Sequence, residues 1–320
     1  MSAHVEIKER LDDQEIDAVL GVVEAATAAD GVSPLNEHVL LHLRYGGDPR
    51  ARSLLLYDGD ALAGYAHVDP TDEVEGPSGE LVIHPAHRRR GLATLLLREV
   101  LDLADGRLRL WAHGDHAGAG ELAASLGFER ARSLWKMRRS LSAPLPDPVI
   151  PEGVRLRTFV PGQDEEAWLK VNAAAFAHHP EQGAWTLDDV LHREAESWFD
   201  PSGFFLAERD SRLVGFHWTK IHGSSDHGHE PLGEVYVVGV DPSQQGTGLG
   251  KALTLAGLAH LRARGLAHAM LYVDEANTAA IRLYESLGFS RWDIDVMYAA
   301  TPPASGARST SEPRPGQRPE

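Results

Sequence analysis

The run Val235-Tyr-Val-Val-Gly-Val-Asp-Pro-Ser-Gln-Gln-Gly-Thr-Gly-Leu-Gly250 decides how this chain folds. Val235 to Val240 is a short β-branched run of the kind that sits inside a sheet. Asp241-Pro242 ends it, and Gly246-Thr247-Gly248 leads into a Leu/Ala-rich helical pattern. A strand that turns through small residues into a helix leaves backbone N–H groups pointing outward at the helix start, where a pyrophosphate can be held. The ligand class is legible before any side-chain chemistry.

The same pattern occurs earlier. Leu81-Val82-Ile83 is followed by His84-Pro85 and then by Arg88-Arg-Arg-Gly-Leu-Ala93. Gly91 and Gly248 lie 157 residues apart, as do Pro85 and Pro242, while Gly127 and Gly288 of the Ser-Leu-Gly-Phe motifs lie 161 apart. Asp60-Ala-Leu-Ala-Gly-Tyr65 matches Ser211-Arg-Leu-Val-Gly-Phe216, and Val5-Glu-Ile7 and Val154-Arg-Leu156 both read as extended starts. Self-similarity at half the chain length implies duplication of a whole domain. Each half predicts a strand, helical segments, two strands around a turn at Gly64 or Gly215, the strand before the glycine turn, a helix, a strand, a short helix and a last strand. The fold class is α/β (α+β). The proline-dense segment from Ser140 to Pro151 can continue neither helix nor central strand, which sets residues 1–140 and 153–301 as two domains joined by a 141–152 linker. Residues 302–320, poor in apolar side chains, read as a disordered tail.

At 320 residues and 42 % hydrophobic content, each half can bury its own core. No apolar stretch reaches the roughly 18 to 20 residues of a membrane span, and the N-terminus has no signal-peptide pattern, so a soluble cytoplasmic protein is expected. The absence of cysteine excludes disulfides, cysteine nucleophiles and thiolate metal sites. A net charge of −16 argues against a nucleic-acid partner. His222, Asp226, His227 and His229 lie close in sequence and could ligate a metal, but the glycines and serines between them read as a loop that fixes no geometry; no metal is expected.

Gln245-Gly-Thr-Gly-Leu-Gly250, followed by Asn277-Thr-Ala-Ala-Ile-Arg-Leu-Tyr284-Glu-Ser-Leu-Gly-Phe289, resembles the GCN5-related N-acetyltransferase (GNAT) superfamily. A dinucleotide fingerprint would need an acidic residue about 20 positions on, at the end of a second strand, and none is there. The resemblance implies two tandem GNAT domains, each a mixed, mostly antiparallel sheet flanked by helices, with acetyl-CoA as cosubstrate. It places the cofactor on Val238, Gly239 and Val240, on Gln245, Gly246, Thr247, Gly248, Leu249, Gly250 and Lys251, and on Asn277, Thr278, Ala279, Ala280, Ile281 and Arg282. Asn277 also suits a helix N-cap. In the first half the matching segments are Leu81, Val82 and Ile83, and Arg89, Arg90, Gly91, Leu92, Ala93 and Thr94.

By the same resemblance Glu234 is the general base, Tyr284 the acid for the departing thiolate and the Val238 N–H the oxyanion donor. Glu234 lies four residues before Val238, so strand alternation predicts both side chains on one face. A core tyrosine and a carboxylate paired with a neighbouring lysine are the structural alternatives. Together with Ala174-Ala-Phe-Ala-His-His-Pro-Glu-Gln-Gly183 and Trp218-Thr-Lys220, the pattern resembles tandem members that acetylate the cysteinyl amine of a glucosaminyl-inositol pseudodisaccharide. The acceptor residues this implies are Glu37, Glu181, Lys220, Glu234 and Tyr272. Another amine, such as an aminoglycoside or a peptide N-terminus, is the alternative acceptor, and an acyl-CoA sensor the alternative without chemistry. A monomer is expected. Aligned by the motifs, Ala123 stands opposite Tyr284, His116 opposite Asn277 and Pro77 opposite Glu234. The first half is therefore expected to bind acetyl-CoA or CoA without catalysis.

Overall fold

The computed structural model describes residues 3–72, 75–104, 106–177, 180–223 and 230–300, with the side chains of Pro180 and Glu181 outside the described set. The expected tail and most of the His222–His229 loop lie outside the described residues, as do His178 and His179. The first half runs β1 (His4–Lys8), α1 (Asp13–Asp30), α2 (Glu37–Tyr45), β2 (Arg52–Asp58), β3 (Ala61–Asp69), β4 (Ser78–Ile83), α3 (Leu92–Leu103), β5 (Leu108–Ala112), α4 (Ala117–Ser125) and β6 (Glu129–Ser140). The second runs β7 (Val154–Thr158), α5 (Glu165–Ala175), α6 (Pro180–Gly183), α7 (Leu187–Glu194), β8 (Phe204–Arg209), β9 (Arg212–His222), β10 (Leu232–Val240), α8 (Leu249–Ala263), β11 (His268–Asp274), α9 (Thr278–Ser286) and β12 (Ser290–Ala300).

The two sheets expected from the repeat form one. Its strand order is β1-β2-β3-β4-β5-β12-β6-β11-β10-β9-β8-β7. Among the described strands only β4 with β5 and β10 with β11 run parallel; the other neighbours are antiparallel. The last strand of each half crosses to the other: β12 pairs with β5, and β6 pairs with β11 and with β12. Neither half closes its sheet with its own last strand. Helices cover both faces: α1 and α2 bury Val19, Val22 and Val39 against Tyr65 and Val82 on one face, and α3 buries Leu96 and Leu97 against Leu54 and Ile83 on the other. In the second half, Trp168 of α5 packs on Phe204, Phe216 and Trp218, while Leu253, Leu255 and Leu258 of α8 pack on the reverse face.

Two expectations about register need correction. Gly64 and Gly215 are not turn residues; they lie inside β3 and β9, and the turns fall at Gly59 and at Asp210-Ser211, all three with positive φ. A Cβ on Gly64 would stand 2.8 Å from the Val82 carbonyl oxygen, so the glycine serves close strand packing. Second, β10 carries an extra residue between Val235 and Val237, while β4 has no shift against β3. That bulge moves the alignment by one, and the residue in the place of Glu234 is Ser78, since Ser78 pairs with Arg109 as Glu234 pairs with Met270.

Candidate active site

The parallel pair β10 and β11 is joined only at Gly233–Val235 against Ala269–Leu271. Beyond the bulge the strands part, which leaves the Val238–Val240 backbone with β9 as its one described neighbour. An opening of this kind accepts an extended amide chain as an added strand. β10 ends at Val240; the side chain of the next residue, Asp241, accepts from the Ser243 N–H at 2.9 Å, and the chain enters α8 through Gly246 (φ 77°) and Gly248 (φ 87°). Gly248 is the N-cap and offers no side-chain cap, so the first N–H groups of α8 are free to donate to an anion. A Cβ on either glycine would meet nothing within 4 Å, so the turn is open. Lys251 is exposed in the first turn. Asn277 caps α9 by accepting from the Ala280 N–H at 3.1 Å; Thr278, Ala279 and Arg282 face outward, and Ile281 is buried in the core. This cradle fits acetyl-CoA.

The first half repeats the cradle. β4 and β5 pair only at Ser78–Gly79, and α3 starts at Gly91 (φ 80°) with no side-chain cap. Arg89, in the place of Gly246, holds the same left-handed conformation (φ 62°). Of its three arginines, Arg88 is held by both oxygens of Asp30 at 2.7 Å and Arg90 pairs with Asp58, which offsets much of the added charge. Arg89 is exposed. Leu81, Val82, Ile83 and Leu92 point into the core, so that this segment can offer a ligand only backbone.

The bulge also decides where Glu234 points. Val235 and Val238 pack on the α8 side, whereas Glu234 shares the opposite face with Tyr236 and Val237. The expectation that Glu234 and Val238 share a face fails because the extra residue breaks the alternation. Glu234 is 5 % exposed on an interior strand and accepts a hydrogen bond from His222 Nε2 at 2.7 Å. Burial alone would raise its pKa; the His222 bond and the charges of His222 and Lys220 outweigh that and hold the carboxyl below its ordinary value. It is a carboxylate at neutral pH. Tyr284 is buried beside Phe289 in the cluster that Val238 borders, and burial pushes its hydroxyl up to about 12. It carries its proton at neutral pH, as an acid must.

On the Glu234 face the halves meet. Asn36 caps α2, accepting from the Val39 N–H at 2.9 Å, while its own N–H donates to Glu80 at 2.7 Å, and this plants Glu37 at the helix mouth. Glu37 accepts from Lys220 and from the Tyr236 hydroxyl, both of the second half. Arg193 Nε donates to that same hydroxyl at 2.8 Å and its guanidinium stacks on Trp185, 3.7 Å from the ring centre. Lys220 lies 4.4 Å from the centre of the Trp198 ring. Tyr272 faces the same cleft; the residue is partly exposed, but desolvation of the hydroxyl, then the negative charge of Glu234, Asp295, Asp293 and Glu37, drives its hydroxyl pKa well above the ordinary value. The structure therefore brings Glu37, Lys220, Glu234 and Tyr272 together. Glu181 lies in α6, with its side chain outside the described residues.

Sequence reasoning missed Tyr236, Arg193 and the His222–Glu234 pair. Tyr236 could be found only from the bulge, which cross-strand pairing creates, and Arg193 sits on a helix with no motif. Among the described residues no group of three or more His, Asp or Glu is placed to hold a metal.

The model of the acetyltransferase (GNAT) family matches residues 22–128 and again 169–289. The chain belongs to this family, as two repeats in tandem, and is an acetyl-CoA-dependent N-acetyltransferase. It is 64 % identical to the mycothiol acetyltransferase of Streptosporangium roseum, over 93 % of this chain and 99 % of that protein. Identity to the mycothiol acetyltransferase of Thermobispora bispora is 65 %, with the same shares of the two chains covered. Among solved structures, a tandem GNAT protein from the clavulanic acid biosynthesis pathway superposes with a TM-score of 0.70 at 19 % identity, covering 93 % of this chain and 98 % of its own. A GCN5-related N-acetyltransferase from Sphaerobacter thermophilus gives 0.63 at 26 %, covering 92 % and 95 %. No helix among the described residues is long and apolar enough to cross a membrane.

Proposed function

We propose that the chain transfers the acetyl group of acetyl-CoA to the cysteinyl amine of cysteinyl-glucosaminyl-inositol, forming mycothiol, the last step of mycothiol biosynthesis. The observation that carries this is Glu234: a buried carboxylate on the floor of a polar cleft built by both halves, beside the parting of β10 and β11. An α-amine has an ordinary pKa of about 8, so a carboxylate that takes one proton, directly or through water, suffices to free the nucleophile. The amine nitrogen then bonds to the thioester carbon. The Val238 N–H stabilises the oxyanion, the carbon–sulfur bond breaks, Tyr284 gives its proton to the departing thiolate, and the proton that the nitrogen sheds as the amide forms returns to the tyrosine through water. Glu37, Glu181, Lys220 and Tyr272 bind the polyhydroxylated acceptor. The first half, residues 1–140, holds acetyl-CoA or CoA without turnover: Ala123 stands in the place of Tyr284 and Ser78 in that of Glu234. Residues 153–301 carry the chemistry, and the protein works as a cytoplasmic monomer.

CoA release with purified protein, acetyl-CoA and the cysteinyl-glucosaminyl-inositol acceptor tests this, with Glu234→Ala and Tyr284→Phe beside wild type. Turnover that falls in both variants supports the assignment. Turnover only with an aminoglycoside or a peptide amine would keep the chemistry and remove the acceptor.

A further inference from the structure

The floor of the cleft continues beyond the residues assigned above. The rung through Lys220 and Glu234 runs on to Met270 of β11, Arg138 of β6 and Ser290 of β12, and the next rung pairs Tyr272 with Lys136 and Asp293. Residues in register on neighbouring strands share a face. β12 carries an extra residue between Arg291 and Asp293, so Trp292 turns onto the face of Lys136 with Asp293. There the residue is 55 % exposed, with the Arg138 guanidinium 5.1 Å from the centre of its ring. Lys136 lies in the same way 5.8 Å from the ring of Tyr272, itself 41 % exposed. Arg138 Nε is buried with no hydrogen-bond partner among the described residues.

From this geometry we propose that Trp292 and Arg138 form the outer subsite of the acceptor cleft, where they hold the carbohydrate end of the acceptor. The inference rests on the acceptor reading given above and extends it to residues outside that set. A sugar or cyclitol ring presents C–H faces that stack on an aromatic plane and hydroxyls that accept from a guanidinium. Trp292 over Arg138 offers both on one patch. Three strand spacings separate β10 from β12, roughly 14 Å, which leaves room for ring units between the base at one end and the tryptophan at the other. Tyr272 and Lys136 lie on that path. The cation beneath Trp292 also strengthens the ring's hold by fixing its orientation before the acceptor arrives.

The test is steady-state kinetics of the full chain with Trp292→Ala, Trp292→Phe and Arg138→Met, together with inhibition by glucosaminyl-inositol, which lacks the reacting amine of the cysteinyl group. Trp292→Ala should raise the acceptor KM and the inhibition constant of the fragment about tenfold, with kcat and the acetyl-CoA KM within about twofold of wild type. Trp292→Phe should recover most of the loss, and Arg138→Met should weaken the fragment without changing kcat. An unchanged acceptor KM in Trp292→Ala overturns the subsite while wild-type turnover of the acceptor leaves the parent reading standing. A parallel fall in kcat and in acetyl-CoA binding would mark a structural role and also overturn it. If wild type neither acetylates the pseudodisaccharide nor is inhibited by the fragment, the acceptor reading fails and the subsite with it.

Discussion

At the scale of the residue, the charge state of Glu234 is set by a contest between burial and its neighbours. His222 donates to it at 2.7 Å and Lys220 stands opposite on β9. Together they keep the pKa below the ordinary carboxylate value in spite of a dry site. In His222→Ala the burial remains and the compensating bond goes, so the pKa rises. A group that must be ionised to act then loses activity at higher pH than before: the acid limb of kcat/KM should move upward, read from a pH–rate profile, with little change on the plateau. Glu234→Gln should lower kcat by about a hundredfold or more at every pH. An acid limb that stays in place in His222→Ala would show that Glu234 is not the group that titrates. Tyr236 makes a second residue-scale argument. Its hydroxyl takes a bond from Arg193 and gives one to Glu37, linking α7 to α2 through one atom. Tyr236→Phe removes a charge-assisted bond from a cleft carboxylate and should raise the acceptor KM about tenfold while the acetyl-CoA KM holds. An equal rise in both constants would place the defect in the fold instead.

At the scale of the element, what could be read from the sequence was local. Gly246, Gly248 and Gly91 mark strand-to-helix turns because positive φ is a demand a single residue meets. Asn277 was legible as a cap for the same reason. The bulge at Tyr236 was not, because an extra residue shows itself only against the partner strand; counting by twos from Val238 therefore put Glu234 on the wrong face. The assignment of Pro77 opposite Glu234 failed for the same cause. The glycine turns yield a prediction that tells the halves apart. Gly91 and Gly248 both sit in the left-handed region with open space around them, so alanine at either position strains the turn without a clash. Gly248→Ala should cut turnover through weaker acetyl-CoA binding. Gly91→Ala should leave kcat near wild type and reduce the CoA bound at saturation from two equivalents toward one, as titration calorimetry would record. A single equivalent in the wild type would remove the proposed binding role of the first half.

At the scale of the whole molecule, the exchange of β6 and β12 was the least legible feature, since each of those strands has an ordinary sequence and its partner is set by pairings more than a hundred residues away in the chain. The exchange buries charge at the seam. His113, at the end of β5, donates from Nε2 to Glu80 of β4 at 2.9 Å and from Nδ1 to Asp295 of β12 at 3.0 Å. Asp295 also accepts from Lys136 of β6 at 2.8 Å and from the Gly114 N–H. Two carboxylates on one imidazole outweigh its burial and raise its pKa to about 10, while Asp295 is held below its ordinary value. Unfolding returns His113 to about 6.5. The folded chain thus binds one more proton than the unfolded chain between those values, and the stabilisation, complete below pH 6.5, is lost as pH rises toward 10. The slope in that window reaches about 1.4 kcal/mol per pH unit for one proton. Urea midpoints of wild type should fall between pH 7 and 10, and His113→Gln, less stable throughout because it leaves two buried carboxylates short of a partner, should lack that part of the fall. The imidazole resonances of His113 in the native wild type provide a reading that does not depend on the variant folding. They should stay those of the imidazolium through pH 8; titration near 6.5 would show that the seam is not held by this charge.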